Sequence, residues 1–226
     1  MTKVREMKMQ RADCFKLLAA CFYEPDRELF LEERLCDNLA SLLSAFGCED
    51  SAISTLAMKK ALQATGQEEL LVEYARLFVG PFELLAPPYG SVYLEQGGRL
   101  MGDTTVAVRK RYRESGLELE VMEAPDHIAL ELEFMHYLCL GEAEAWANGE
   151  PDRVLRLVAD QAEFFRDYLS SWVPAFCVKV KKGTNSGFYL ALAESLESFI
   201  REIAPFYEAV TPLAQSEVGC DHGTAA

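Results

Sequence analysis

The sequence contains seven cysteines but no C-x-x-C pair. An odd number of scattered cysteines does not make a disulfide framework, and without paired spacing it does not make a zinc ribbon. Cys220 and His222 would supply two metal ligands, but no second pair accompanies them. Free thiols are typical of a reducing compartment, so we expect a cytoplasmic protein. The cysteines are Cys14, Cys21, Cys36, Cys48, Cys139, Cys177 and Cys220.

Basic residues are scarce relative to acidic ones. Lys and Arg total 22 against 36 Asp and Glu, which gives a formal net charge of −14 at pH 7. Such a surface repels phosphate backbones and anionic membranes, which argues against binding to nucleic acid. The densest basic run, Arg109-Lys-Arg-Tyr-Arg113, is interpreted as a solvated helix face. The overall charge suits a cationic partner better.

Long uncharged apolar runs are also missing. No stretch approaches the ~18 residues that a membrane span requires. Leu18-Ala-Ala-Cys21 matches the cleavage box of a bacterial lipoprotein, but Asp13 and Lys16 interrupt the apolar segment that should precede it. We therefore expect neither membrane insertion nor secretion. A phosphate-binding loop of the form G-x-x-x-x-G-K-S/T is absent from the sequence too.

The sequence is rich in helical periodicity. Nearly every segment between turn signals repeats apolar residues at helical spacing, and none shows sustained alternation with period two, although residues 117–121 alternate weakly. This pattern predicts an all-α protein, a single compact multi-helix bundle over residues 1–215, followed by a frayed tail over 216–226. Helices are expected near 27–46 and 51–65, from 67 to Gly80, from Pro125 onward and from about 151 to Pro174; a polar loop follows over 178–187, and Pro205 ends or kinks the last helix.

A proline-rich loop follows Gly80. It cannot be regular helix or central strand, because proline fixes φ and removes a backbone donor. The loop nevertheless carries apolar and aromatic side chains, which on an irregular connection either fill a core or contact a partner. The candidate binding residues are Phe82, Pro87, Pro88, Tyr89 and Tyr93.

The segment around Asp126-His127 admits three interpretations. In the first, Asp126 caps the helix that begins at Pro125 and His127 forms only local hydrogen bonds. In the second, the protein is a small helical enzyme in which His127 does acid–base chemistry with Asp126 or Glu131. In the third, Asp126, Glu123 and Glu131 form a cationic subsite beside an apolar groove of the proline-rich loop. That groove suits a peptide that is hydrophobic along its length and basic at one end.

Metal and cofactor sites are weakly indicated. Glu133-Phe-Met-His136 has the spacing found in di-iron helical bundles, but such a centre needs two of these pairs and the sequence has one. We therefore expect neither a metal centre nor a bound cofactor.

Three motifs in order resemble the TorD/DmsD family of redox-enzyme maturation chaperones, related to NarJ. They are Glu73-Tyr-Ala-Arg-Leu-Phe-Val-Gly-Pro81, Pro87-Pro-Tyr-Gly-Ser-Val-Tyr93 and Pro125-Asp-His-Ile-Ala-Leu-Glu-Leu-Glu-Phe-Met135. The similarity extends over nearly the whole chain except the tail.

The resemblance implies an all-helical cytoplasmic chaperone and not an enzyme. Its expected partners are the twin-arginine signal peptide and the apo catalytic subunit of a molybdopterin-containing oxidoreductase. The family assists cofactor insertion and delays export of that enzyme. By the motif match, Asp126 with His127, and Pro88 with Tyr89, fall on segments associated with signal-peptide binding. The resemblance allows a monomer or a domain-swapped dimer, and it leaves open which enzyme is the client and whether guanine nucleotide or molybdenum cofactor is bound.

Overall fold

The computed structural model describes residues 2–80, 84–119 and 123–218. Over these ranges the chain is helical and contains no β-strand, so the prediction of an all-α fold is confirmed. The helices are α1 (Thr2–Ala20), α2 (Arg27–Glu32), α3 (Leu35–Phe46), α4 (Glu49–Ala64), α5 (Gln67–Tyr74), α6 (Gly90–Leu94), α7 (Asp103–Glu114), α8 (Ile128–Asn148), α9 (Pro151–Phe164), α10 (Ser170–Gly183) and α11 (Gly187–Val218), with π-helical turns at Ala75–Val79 and Phe165–Leu169.

The centre of the bundle is built from α1, α8, α10 and α11. Helices α1 and α8 run antiparallel, because His136 Nδ1 lies 2.9 Å from the carbonyl oxygen of Ala12 while Lys8, one turn earlier, pairs with Glu142. Fully buried side chains from the four helices belong to one apolar cluster, which accounts for the helical apolar stripes of the sequence. They include Phe15, Met135, Trp172 and Phe199.

Several helix boundaries differ from the sequence prediction. The helix expected over 27–46 is two helices, because Arg34 adopts a left-handed φ of 50° between α2 and α3. Asp26 starts α2 as its N-cap, accepting a hydrogen bond from Leu29 N–H at 3.0 Å. Gly47 ends α3 with a φ of 91°, a conformation that favours glycine.

Two prolines lie inside helices: Pro174 was expected to end its helix, and Pro205 was expected to end or kink the last one. Pro174 lies within α10, which continues to Gly183 and so takes up part of the predicted loop over 178–187. Pro205 lies within α11, which continues to Val218. A proline inside a helix costs ~3 kcal/mol. Burial of large apolar groups on both sides of each proline offsets that cost: Trp172 and Phe176 flank Pro174, and Ile203 and Tyr207 flank Pro205.

A buried ionic network joins α1 to α8 and α9. Glu142 is fully buried and pairs with Lys8 and with Arg11, whose residue is only 2% exposed. Gln161 of α9 donates a further hydrogen bond to Glu142 at 2.9 Å. The guanidinium of Arg11 also lies 4.3 Å from the centre of the Phe206 ring. The network therefore fixes the relative positions of four helices, α1, α8, α9 and α11.

None of the helices in the described ranges is both long enough and apolar enough to cross a membrane. Six cysteines fall within these ranges, and all six are buried free thiols. The frayed tail over 216–226 stays a prediction, since α11 includes residues up to Val218 and residues 219–226 lie outside the described part of the chain.

Candidate functional site

The proline-rich loop and the start of α8 meet in space. Tyr89 and His127 form an isolated antiparallel β-bridge. Its hydrogen bonds run from Gly90 N–H to the carbonyl oxygen of Asp126 at 2.9 Å and from Ile128 N–H to that of Pro88 at 2.8 Å. The two segments singled out from the sequence therefore form one structural unit.

Asp126 lies beneath the surface of this unit. Its side chain is fully buried, and Oδ2 accepts a hydrogen bond from Ser91 N–H at 2.8 Å. The sequence placed Asp126 in the first turn of a helix starting at Pro125, but α8 starts at Ile128 and its N-cap is His127. The capping interaction is made by His127 Nδ1, which accepts from Ala129 N–H at 3.2 Å. Asp126 thus ties the loop to the residues that precede the helix.

Glu131 is buried one turn into α8. Its Oε2 accepts a hydrogen bond from Trp172 Nε1–H at 3.0 Å. Burial raises the pKa of this carboxyl well above its ordinary value, and the negative charge of Asp126 raises it further, while the Trp172 hydrogen bond opposes the shift. Burial therefore favours the protonated form of Glu131 and keeps its carboxyl away from solvent. One oxygen on each carboxyl, Asp126 Oδ1 and Glu131 Oε1, has no hydrogen-bond partner in the described part of the chain.

The exposed face of the unit is aromatic and acidic. The rings of Tyr89 and His127 have centroids 5.3 Å apart, and the ring of Tyr23 stacks near His127 at 6.4 Å. Glu123 is exposed, and its Oε1 accepts a hydrogen bond from the Tyr89 hydroxyl at 3.0 Å. We call Tyr23, Tyr89 and Glu123 the tyrosine–glutamate surface; the ring of His127, which is buried, lies against both tyrosine rings. This surface places a negative charge beside aromatic rings, the combination that attracts a guanidinium or ammonium group.

The ionisation states of this surface keep it free of positive charge at neutral pH. Burial lowers the pKa of His127, although the negative charges of Glu123 and Asp126 act in the opposite direction. Burial also raises the pKa of Tyr89, and the nearby carboxylate of Glu123 raises it further. Both rings are neutral near pH 7, so Glu123 carries the net charge of the surface.

The remaining predicted residues take other places. Pro88 is buried, and Pro87 is half-buried. Tyr93, on α6, points to α10 instead: its ring stacks on Trp172 with centroids 5.4 Å apart, and the Lys179 ammonium lies 4.8 Å from its centre. Phe82 lies outside the described residues.

Sequence reasoning missed Tyr23. It lies just after α1 and is 37% exposed, which is unusual for an aromatic residue that follows a run of buried core residues such as Cys21 and Phe22. The signal available in the sequence was a tyrosine two residues before Pro25, where the chain must leave the helix. Because Tyr23 is far from His127 along the chain, no local sequence pattern predicted the contact between their rings.

Metal coordination gains no support from the described residues, among which no group of three His, Cys, Asp or Glu side chains is arranged to hold an ion. His136, from the Glu-x-x-His pair, uses Nδ1 to contact the backbone of α1.

The sequence profile of the nitrate reductase delta subunit family matches residues 31–178 of this chain, which include the unit formed by Tyr89 and His127. The chain belongs to this family. The resemblance to TorD and DmsD, inferred from the motifs around Tyr89 and His127, is confirmed by curated relatives in the same family.

Three relatives illustrate the relationship. The chaperone protein TorD of Vibrio parahaemolyticus is 25% identical over 209 residues, covering 89% of this chain and 96% of the relative. The TorD chaperone of Photobacterium profundum is 32% identical and covers 69% and 70% of the two chains. The probable Tat proofreading chaperone DmsD of Haemophilus influenzae is 30% identical and covers 79% and 82%.

A crystal structure described as a redox enzyme maturation protein from Archaeoglobus fulgidus is 24% identical, covers 88% of this chain and 93% of its own, and superposes with a TM-score of 0.48. The named relatives are chaperones and not enzymes, which favours the peptide-binding interpretation of His127 over the acid–base one.

Proposed function

We propose that this protein is a cytoplasmic chaperone that binds the twin-arginine signal peptide of a molybdopterin-containing oxidoreductase, assists cofactor insertion and delays export. The tyrosine–glutamate surface is the observation that carries the proposal. An arginine side chain fits against the Tyr89 and Tyr23 rings with its charge on Glu123. Relatives named as Tat proofreading chaperones support the choice of ligand.

The predicted site residues divide into two roles in this proposal. Glu123 and Tyr89, joined by Tyr23, contact the peptide, because they reach the surface, whereas His127 is only 4% exposed and supports the two tyrosine rings from the side of the core. Asp126 and Pro88 lie beneath them and hold the loop against the start of α8, and Glu131 ties α8 to Trp172 of α10. In this proposal the buried groups position the loop and the exposed groups bind the peptide. This division of roles accounts for the burial of two carboxylates of the motif, Asp126 and Glu131.

The apolar part of the signal peptide needs apolar surface nearby. Exposed apolar side chains flank the proline-rich loop on both sides: Val79 is 62% exposed, Leu85 40% and Leu94 38%. Hydrophobic stretches of a peptide gain free energy by covering such groups. We therefore place the hydrophobic region of the signal on this loop and its arginines on Glu123.

A titration with a synthetic twin-arginine signal peptide tests the proposal. Binding to the wild type should weaken with added salt, and Glu123→Gln should reduce affinity by about fivefold because a charged pair is lost. Glu144→Gln is the matched control, since Glu144 is exposed on α8 but lies several turns from the surface. Replacing both peptide arginines with glutamine should weaken binding to the wild type as much as Glu123→Gln does. The same peptide change should have little further effect on binding to the Glu123→Gln variant.

The proposal fails if the wild type does not bind the peptide. The assignment of Glu123 fails separately if both glutamate variants lose equal affinity, because that result would reflect only the total charge of the protein.

A further inference from the structure

Helix α7 has one buried face and one exposed face. The exposed face is basic, whereas the chain as a whole is acidic. Thr105, Val108 and Tyr112 are buried. Val106, Arg109, Lys110 and Arg113 are exposed, and their spacing of three and four residues aligns them along the helix. We call these four residues the α7 basic face. On a protein of net charge −14 it is a concentrated positive surface.

The cations of the α7 basic face are not used to hold the fold. In the part of the chain that the structure describes, neither Arg109 nor Arg113 takes part in an ion pair, and Lys110 lies 3.6 Å from Glu114 with both side chains largely exposed. Arg111, on the neighbouring side, instead pairs with Glu163 at 3.0 Å and lies 3.7 Å from Asp160. Arg111 therefore joins α7 to α9, and the other cations of the helix remain available to bind a partner.

Apolar groups accompany these cations. Val106 is 68% exposed, and Met101 and Leu100, just before the helix, are 58% and 48% exposed. A surface depression of about 440 Å³ is lined by Met101, Val106 and all three cations of the face. An exposed strip that is both basic and apolar is costly to leave uncovered and is typical of an interaction surface.

The α7 basic face adjoins the tyrosine–glutamate surface. A second depression, of about 190 Å³, is lined by Arg109 and Arg113 on one side and by Glu123 on the other. A chain bound with its arginines at Glu123 is therefore adjacent to a surface of the opposite sign.

We propose that the α7 basic face binds an acidic, partly apolar segment of the client protein. This inference rests on the proposed function, because it takes the client to be the protein whose signal peptide binds at Glu123. Carboxylates of that segment would pair with Arg109 and Arg113, and its apolar side chains would cover Val106 and Met101. An anionic membrane fits less well, since the net charge of −14 and the acidic rim at Glu118 and Glu123 oppose a flat negative surface.

The test uses a short synthetic peptide of alternating glutamate and leucine, labelled for fluorescence anisotropy. The wild type should bind it, and the double variant Arg109→Glu/Arg113→Glu should bind about tenfold more weakly or worse. The matched control is Arg5→Glu/Lys60→Glu, which changes the net charge equally at exposed positions on α1 and α4. The control should retain binding within about threefold.

The twin-arginine signal peptide separates this inference from the proposed function. The Arg109→Glu/Arg113→Glu variant should still bind that peptide, and saturating signal peptide should not displace the acidic one. If the signal peptide fails to bind the wild type while the acidic peptide binds as described, the proposed function fails and the α7 surface stands.

The inference is overturned if the wild type does not bind the acidic peptide, or if both double variants lose affinity equally. It is also overturned if Arg109 and Arg113 are required instead for binding to phosphatidylglycerol vesicles, or for self-association measured by sedimentation.

Discussion

Tyr89 and His127 are paired through their backbones in an antiparallel bridge, and their ring centroids lie 5.3 Å apart. A proline-rich loop and the N-terminus of a core helix are thereby fixed to each other. The loop residues that face solvent depend on hydrogen bonds to Asp126, which no solvent competes for. The exposed surface and the buried carboxyls beneath it are therefore expected to respond differently to substitution.

Substitutions of Asp126 should show whether this residue acts by positioning the proline-rich loop or by its negative charge. Asp126→Ala leaves the buried Ser91 N–H without its acceptor, and we expect a loss of about 1–3 kcal/mol in unfolding free energy together with weaker peptide binding. Asp126→Asn keeps an acceptor oxygen and should retain most of both properties. Urea unfolding and peptide titration measure the two effects. If Asp126→Asn loses as much peptide affinity as Asp126→Ala, the charge of Asp126 acts on the ligand directly.

Gly90 should tolerate no side chain. A Cβ there would lie 3.1 Å from Trp172 Nε1 and 3.3 Å from Glu131 Oε1, and the hydrogen bond from Trp172 Nε1–H to Glu131 Oε2 holds both side chains in place. Gly90→Ala should destabilise the protein by about 1–3 kcal/mol. Gly141→Ala is the control: it lies inside α8, its Cβ would meet Leu157 at an ordinary 3.5 Å, and it should stabilise by about 0.5–1 kcal/mol. Equal thermal unfolding midpoints for the two variants would contradict this account.

Glu131→Gln should stabilise the protein increasingly as pH rises. Because burial raises the pKa of Glu131, the folded state holds this proton to higher pH than the unfolded chain, which loses it above the ordinary pKa of 4.5. The wild type therefore loses up to about 1.4 kcal/mol per pH unit from this group between 4.5 and the folded-state pKa. Glutamine does not titrate and preserves an acceptor for Trp172 Nε1–H.

Urea unfolding of the wild type and Glu131→Gln from pH 4 to 8 measures this difference. His127 has the opposite dependence, since its lowered pKa removes stability as pH falls below 6.5, but it is present in both proteins and cancels. A stability difference that stays constant with pH would show that Glu131 is ionised in the fold.

Glu142→Ala should be strongly destabilising, because it leaves Arg11 buried without a counterion. The expected loss is about 3–5 kcal/mol. Glu144→Ala, two residues along the same helix but exposed, should change stability by less than about 0.5 kcal/mol. Guanidinium unfolding of both variants tests the difference, and similar midpoints would show that the Arg11 network contributes little.

The amino-acid sequence by itself determined the class of fold and the family. Apolar residues at helical spacing specify helices that share one core, because each stripe must be covered by another. Motifs around Tyr89 and Asp126 could be compared without knowing their positions in space. The sequence also predicted that the proline-rich loop and the start of α8 act together.

Tertiary structure decided which of the motif residues reach solvent. Sequence spacing treated Asp126, Glu123 and Glu131 as one acidic group, but burial depends on the distant Trp172 and Ser91, which no local pattern reveals. Tyr23 joined the site for the same reason, since α1 brings it to His127 from the other end of the chain. Pro174 and Pro205 stayed within helices because long-range apolar packing outweighs a local backbone preference.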